Sequence, residues 1–160
     1  MATTPNNGFR YPAATDAPDG PGGFYNLATD LDNFLDSDPF TPALGGSGAN
    51  LGGGASTIGT YCRVGNIITA VGRLAFGSGT VSFGSAPAVT GLPNFSTTLA
   101  GGTGWFIPSS GAAPAALILL PITASQFGLR VVLSGSSASA ATLTPAQSDL
   151  VLFTITGSKA

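Results

Sequence analysis

The sequence predicts a mainly β protein: an antiparallel β-sandwich or jelly-roll-like domain, preceded by an extended arm and one short α-helix. Short runs rich in Val, Ile, Phe and Thr recur from residue 58 onward, parted by Gly, Ser and Pro, which is the rhythm of an antiparallel sandwich. Only one stretch, from about Pro21 to Asp36, places apolar residues at helical spacing. The chain can also build a core. Leu, Ile, Val and Phe make up a quarter of its 160 residues, above the roughly 20% below which chains tend to stay disordered. Gly and Pro together number 36, so the fold must turn often. The expected organisation is an arm over residues 1–23, a short helix over 24–38, a Gly-rich linker over 39–57 and a β domain over 58–160.

The arm holds Pro5, Pro12, Pro18, Pro21 and four Gly, which oppose both a helix and a sheet ladder. Phe9 and Tyr11 are its large side chains, and with no core of their own they are candidate anchors to a partner. In the helix, Phe24, Leu27, Leu31 and Phe34 follow 3-4-3 spacing with Leu35 beside them. Pro39 and Pro42 would end it. A helix so short is marginal alone in water, so this stripe is expected to dock on the domain or to form a seam with symmetry mates. Residues 41–57, including Leu44-Gly-Gly-Ser-Gly-Ala-Asn-Leu-Gly-Gly-Gly54, read as a flexible joint. Their glycines match neither the dinucleotide-binding nor the P-loop spacing, and no Lys-Ser/Thr follows.

Thr60-Tyr-Cys-Arg-Val64, Gly65-Asn66 and Ile67 to Phe76 predict a hairpin with a two-residue turn. In that register Val64 faces Ile67, Cys62 faces Thr69 and Tyr61 faces Ala70. One face then carries Val64, Cys62, Ile67 and Val71, the other Tyr61, Ile68, Leu74 and Phe76. Both are largely apolar, as expected if one looks into the core and the other is covered by something else. Further strands are expected at Thr80–Phe83, Ala88–Leu92, Gly104–Ile107, Ala115–Leu120, Leu129–Leu133 and Asp149–Thr156. The last, apolar at almost every position, reads as a central strand.

Composition narrows the chemistry. The chain has no His and no Glu, and residues 39–160 hold one Asp, one Cys, one Lys and three Arg. Acid–base, nucleophilic and metal chemistry draw mainly on the missing types, so neither an enzyme nor a metal or other cofactor is expected. Asp16 and Asp19 read as solvated loop acids, Asp30, Asp32 and Asp36 as a polar helix face, and Arg63, Arg73 and Arg130 as rim or interface charges. Residues 1–40 carry a net charge of −5 and residues 41–160 one of +3. No basic run suits a nucleic-acid backbone. The longest apolar stretch, Ala112 to Ile122, is broken by Pro114 and Pro121 and is too short to span a bilayer. With no secretory pattern at Met1-Ala-Thr-Thr-Pro5, the chain is expected to be made in a cytoplasm, to stay soluble and to bind no membrane. Asn94-Phe95-Ser96 is then a chance glycosylation match. Cys62 lacks a partner within the chain and is expected as a buried, reduced hydrophobe. Charged residues are only 8% of the chain, against about 25–35% of a usual surface. Much of the exterior is therefore expected to be covered by copies of itself or by a partner.

Two stretches also carry a resemblance. Arg10-Tyr-Pro-Ala-Ala-Thr-Asp-Ala-Pro-Asp-Gly-Pro21, running into Leu27-Ala-Thr-Asp-Leu-Asp32, resembles a phrase of virion proteins from tailed phages of actinobacteria. Phe40-Thr-Pro-Ala-Leu44 through Gly59-Thr-Tyr-Cys-Arg-Val-Gly-Asn-Ile to Phe76 resembles the opening of the terminal β domain of phage tail fibres, and Ser148 to Gly157 its last strand. Together they cover about half the chain, in the family's order. No shaft repeats are present. The resemblance implies a homotrimer with helices along one axis, β domains around it, and the arm tying it to major capsid or tail proteins at the virion surface. The expected function is non-enzymatic: a short decoration or minor capsid protein assembled in the host cytoplasm. The alternative is a tail-fibre or minor tail protein that binds a host surface glycan or receptor. For that role Tyr61, Trp105 and Phe106 are the candidate aromatics, weighed against core packing. Trp105 is the foremost receptor contact, because Gly101-Gly-Thr-Gly104 before it suggests a loop edge.

Overall fold

The computed structural model describes residues 2–3, 10–11, 26–31, 35–133 and 136–160. It is mainly β and antiparallel, as the sequence predicts. Two short strands, β1 (Ala2–Thr3) and β2 (Arg10–Tyr11), pair only with each other among the described residues. A short helix, α1, covers residues 26–31. Ten strands among the described residues then form one sheet: β3 (Leu35–Phe40), β4 (Ala43–Ser47), β5 (Ser56–Val64), β6 (Ile67–Ala75), β7 (Ser85–Thr90), β8 (Phe95–Ile107), β9 (Ala115–Thr123), β10 (Gln126–Leu133), β11 (Ser136–Ser139) and β12 (Leu150–Lys159). Their spatial order is β3-β5-β6-β12-β8-β9-β10-β7-β4, with β11 also on β10.

That order dictates the shape. β3 and β4 are the two ends of the ladder, yet only Thr41 and Pro42 separate them, a reach of roughly 11 Å at full extension. The sheet must therefore curl until its edges meet at a corner, where Pro42 is buried. A curled sheet whose halves face each other across a core is compatible with the layered sandwich expected.

The enclosed core follows from alternation. Ile68, Ala70 and Leu74 of β6, Val151, Phe153 and Ile155 of β12, Leu117 and Leu119 of β9, and Phe127, Leu129 and Val131 of β10 are buried in one cluster. Phenylalanine rings lock it edge to face: Phe83 meets Phe76 at 5.2 Å and Phe106 at 5.6 Å, and Phe95 meets Phe127 at 5.5 Å. Across the sheet, Gly59 pairs with Gly72, Gly72 with Phe153 and Phe153 with Gly104. A Cβ on Gly72 would run into the Phe153 ring, and one on Gly59 into the Phe40 ring. These glycines leave the space in which the rings lie flat against the sheet.

The hairpin forms in the predicted register, with Val64 opposite Ile67, Cys62 opposite Thr69 and Tyr61 opposite Ala70. Gly65 takes φ 59°, as the first central residue of a Gly-first hairpin turn requires. The final strand is central, between β6 and β8.

Three expectations change. The helix does not reach Asp36: Leu35 and Asp36 belong to β3, because pairing with β5 overrides the helical period there. Pro39 sits within β3, where an edge strand tolerates it. Residues 39–57 are part of the sheet and not a loose linker. They contribute β4 and two bridges, Asn50 to Ser82 and Gly53 to Ser78. Gly52 takes φ 84° directly beside the Ser78 carbonyl, so glycine serves a tight turn there and not flexibility. Thr80–Phe83 is no strand and supplies only the bridge at Ser82.

Candidate functional site

The side chains of β5, β6, β12, β8 and β9 that point away from the core form the most distinctive surface. Strand register aligns them in rows. Ile58, Arg73, Leu152, Trp105 and Ala116 stand side by side on five successive strands, and Thr60, Val71, Thr154, Thr103 and Ile118 form the next row. A shallow groove of about 470 Å³ runs along them. Ile58 is 60% exposed, Trp105 52% and Val71 48%. Val64, Ile67, Leu120, Ile122 and Val132 are also exposed. A face this rich in branched aliphatic side chains is unusual for strands open to water, where alternation normally puts polar residues outside.

Its polar groups are hydroxyls and guanidiniums. Thr69 and Thr156 share a hydroxyl contact of 3.2 Å, and Arg73 donates to the Ser56 hydroxyl at 3.1 Å. Arg130 stands opposite Ile118 at the far side. No carboxylate lies in either row. Two acids lie at the sheet margin, on β3 and on its other face: Asp36 and Asp38 each accept from the Tyr61 hydroxyl at 3.3 Å. The Tyr61 phenol is held above its ordinary value of 10.0, first by desolvation and then by the two carboxylate charges and their hydrogen bonds. Asp149, by contrast, is buried and fully employed. Its carboxylate accepts the Ser109 N–H and hydroxyl at 2.7 and 2.9 Å and the Ala146 N–H at 2.7 Å, tying the turn after β8 to the turn before β12.

Trp105 lies within β8, on the outer face, and not at a loop edge, because Gly101-Gly-Thr-Gly104 is itself strand. Phe106 points the other way and is buried. Tyr61 is half-buried against the core, with its hydroxyl on β3. Cys62 is free and exposed, not buried: its alternation with Val64 puts it on the outer face. Leu27 and Leu31 stand one turn apart on α1, about half exposed. Tyr11 belongs to β2. Phe9, Phe24 and Phe34, like Asp16, Asp19 and Asp32, lie outside the described residues. The Arg73–Leu152–Trp105 alignment is invisible in the sequence because it depends on β12 lying between β6 and β8. The one signal for it is a final strand apolar on both parities.

Among the described residues, no three of His, Cys, Asp or Glu gather as a metal site would need, and no helix is long and apolar enough to cross a membrane. Comparison of the sequence with known protein families and with curated proteins finds no match.

Proposed function

We propose that this chain is a non-enzymatic structural protein of a tailed-phage virion: a homotrimeric decoration or minor capsid protein, short and fibre-like. In this reading the N-terminal arm grips major capsid or tail proteins at the particle surface, and the β domain adds contacts that stabilise the shell. The observation that carries it is the outer face of the sheet. Ile58, Val71, Leu152 and Trp105 lie open on a molecule with very few charges, which suits a chain that works while packed against others. The resemblance of residues 10–32 and 40–76 to phage virion proteins supplies the setting.

The arm supplies the test. β1 and β2 pair only with each other among the described residues, so deleting residues 2–20 removes no strand of the ten-stranded sheet. The truncated protein is expected to keep its oligomeric mass and to disappear from purified particles. Incorporation at the normal level would rule out the arm as the anchor.

A second reading, a minor tail protein that binds a host surface glycan, is favoured by Trp105. Its half-exposed indole stands beside Thr103 and Thr154, and an aromatic ring with neighbouring hydroxyls suits a sugar. Glycan-array binding by the intact protein that vanishes in Trp105→Ala would support it.

A further inference from the structure

The outer face has the size and the charge pattern of a contact between copies of this chain. Five strands at about 4.8 Å and six or seven residues at about 3.3 Å give a face on the order of 20 Å by 20 Å, 400 to 500 Å² before the rims are added. Covered by an equal area of a neighbour, this face approaches the roughly 1,000 Å² in total that a specific interface needs. Arg73 stands within it and donates its hydrogen bond to the Ser56 hydroxyl, not to a carboxylate. Asp36 and Asp38, on the edge strand β3 next to β5, share the Tyr61 hydroxyl on the other face of the sheet, and set two negative charges at its margin.

An isologous contact of face on face sets no carboxylate against Arg73, because neither row of the face holds one. A head-to-tail contact, in which the face of one copy covers the β3 margin of the next, brings Arg73 toward Asp36 and Asp38. Only the second matches opposite charges, and a head-to-tail contact closes into a ring where the rotation between copies is a third of a turn. We propose that a second copy of this chain occupies the outer face of β5, β6, β12 and β8, with Leu152 and Trp105 at the centre of the contact and Arg73 matched to Asp36 and Asp38 of the neighbouring copy. This rests on the assembly reading above and adds the surface and its polarity.

The test is the mass in solution of the full chain and its variants, by light scattering. The native protein is expected at about 47 kDa, three times 15.7 kDa. Val71→Lys and Arg73→Asp, both at exposed positions, are expected to fall to 15.7 kDa while retaining the native circular dichroism spectrum. Asp38→Arg should do the same, and Arg73→Asp combined with Asp38→Arg should recover the trimer. A trimer that survives Val71→Lys overturns this interface and leaves the assembly reading standing. Loss of the trimer without recovery in the double variant overturns the charge pairing. A monomeric native protein overturns the assembly reading itself. A trimer that survives while glycan binding depends on Trp105 assigns the face to a sugar instead.

Discussion

Asp149 shows how much a single side chain can hold in a body almost free of acids. Three donors converge on its buried carboxylate, two of them backbone N–H groups from separate turns. Asp149→Asn keeps the volume but turns an amide N–H₂ toward the Ala146 or the Ser109 donor, and is expected to destabilise the fold by about 2 kcal/mol. Asp149→Ala removes every acceptor and should cost about 3 kcal/mol; urea unfolding midpoints of the two variants check the order. Tyr61 gives a pH-dependent counterpart. Its folded-state value is raised, chiefly by desolvation and then by Asp36 and Asp38. The phenol's contribution to stability is therefore fully present below its ordinary value of 10.0 and is lost as pH rises through the higher folded value. Tyr61→Phe should flatten the alkaline decline in stability, and the native spectrum should show one late-titrating phenol that this variant lacks. Equal alkaline slopes for the two proteins would contradict the assignment. In the sequence Asp149 stands out only as a solitary acid, since nothing local reveals that the Ser109 turn reaches it.

Among the elements, the β5–β6 hairpin is legible because all of its determinants are local: a Gly-Asn turn fixes register, and register fixes which side chains share a face. That Val64, Cys62, Ile67 and Val71 share one face therefore follows from residue order alone, while its being the outer face does not, since both faces of the hairpin are largely apolar. β3 and β4 do not, because Pro39 and the glycines of 45–54 carry the signature of a linker while their pairing partners, β5 and β7, lie further along the chain. Sequence pattern predicts only four residues of β8, which is thirteen long, since Gly101 and Gly102 mask the rest locally. The glycines beneath Phe40 and Phe153 make the element-scale prediction. Gly72→Ala should cost about 2 to 3 kcal/mol through overpacking, although alanine is ordinarily the better strand residue. Phe153→Leu in the same chain should return part of that loss in thermal unfolding; a stabilised Gly72→Ala would show that the ring does not hold its place.

For the whole molecule, mainly β architecture is readable from composition and rhythm, but strand order is not, because it is set by which apolar faces meet across the closed core. That order is also what converts scattered outer residues into one continuous face, so the candidate site can be inferred from sequence only in fragments. At this scale raising the salt concentration is informative. If Arg73 meets Asp36 and Asp38 of a neighbour, about 1 M salt should slow association of dissociated chains while leaving the apolar contact able to hold an assembled trimer; stopped-flow light scattering at two ionic strengths reads the rate. The corner at Thr41 and Pro42 has a mechanical consequence. A load applied through the N-terminal side enters the sheet at β3, which among the described residues is an outermost strand held along one flank only. Tension would peel that strand from β5 rung by rung and then reach the buried proline at the bend. The first yield would thus spend a sacrificial strip and spare the central staves, so a pull on the N-terminal side lengthens the chain before it ruptures the body behind it.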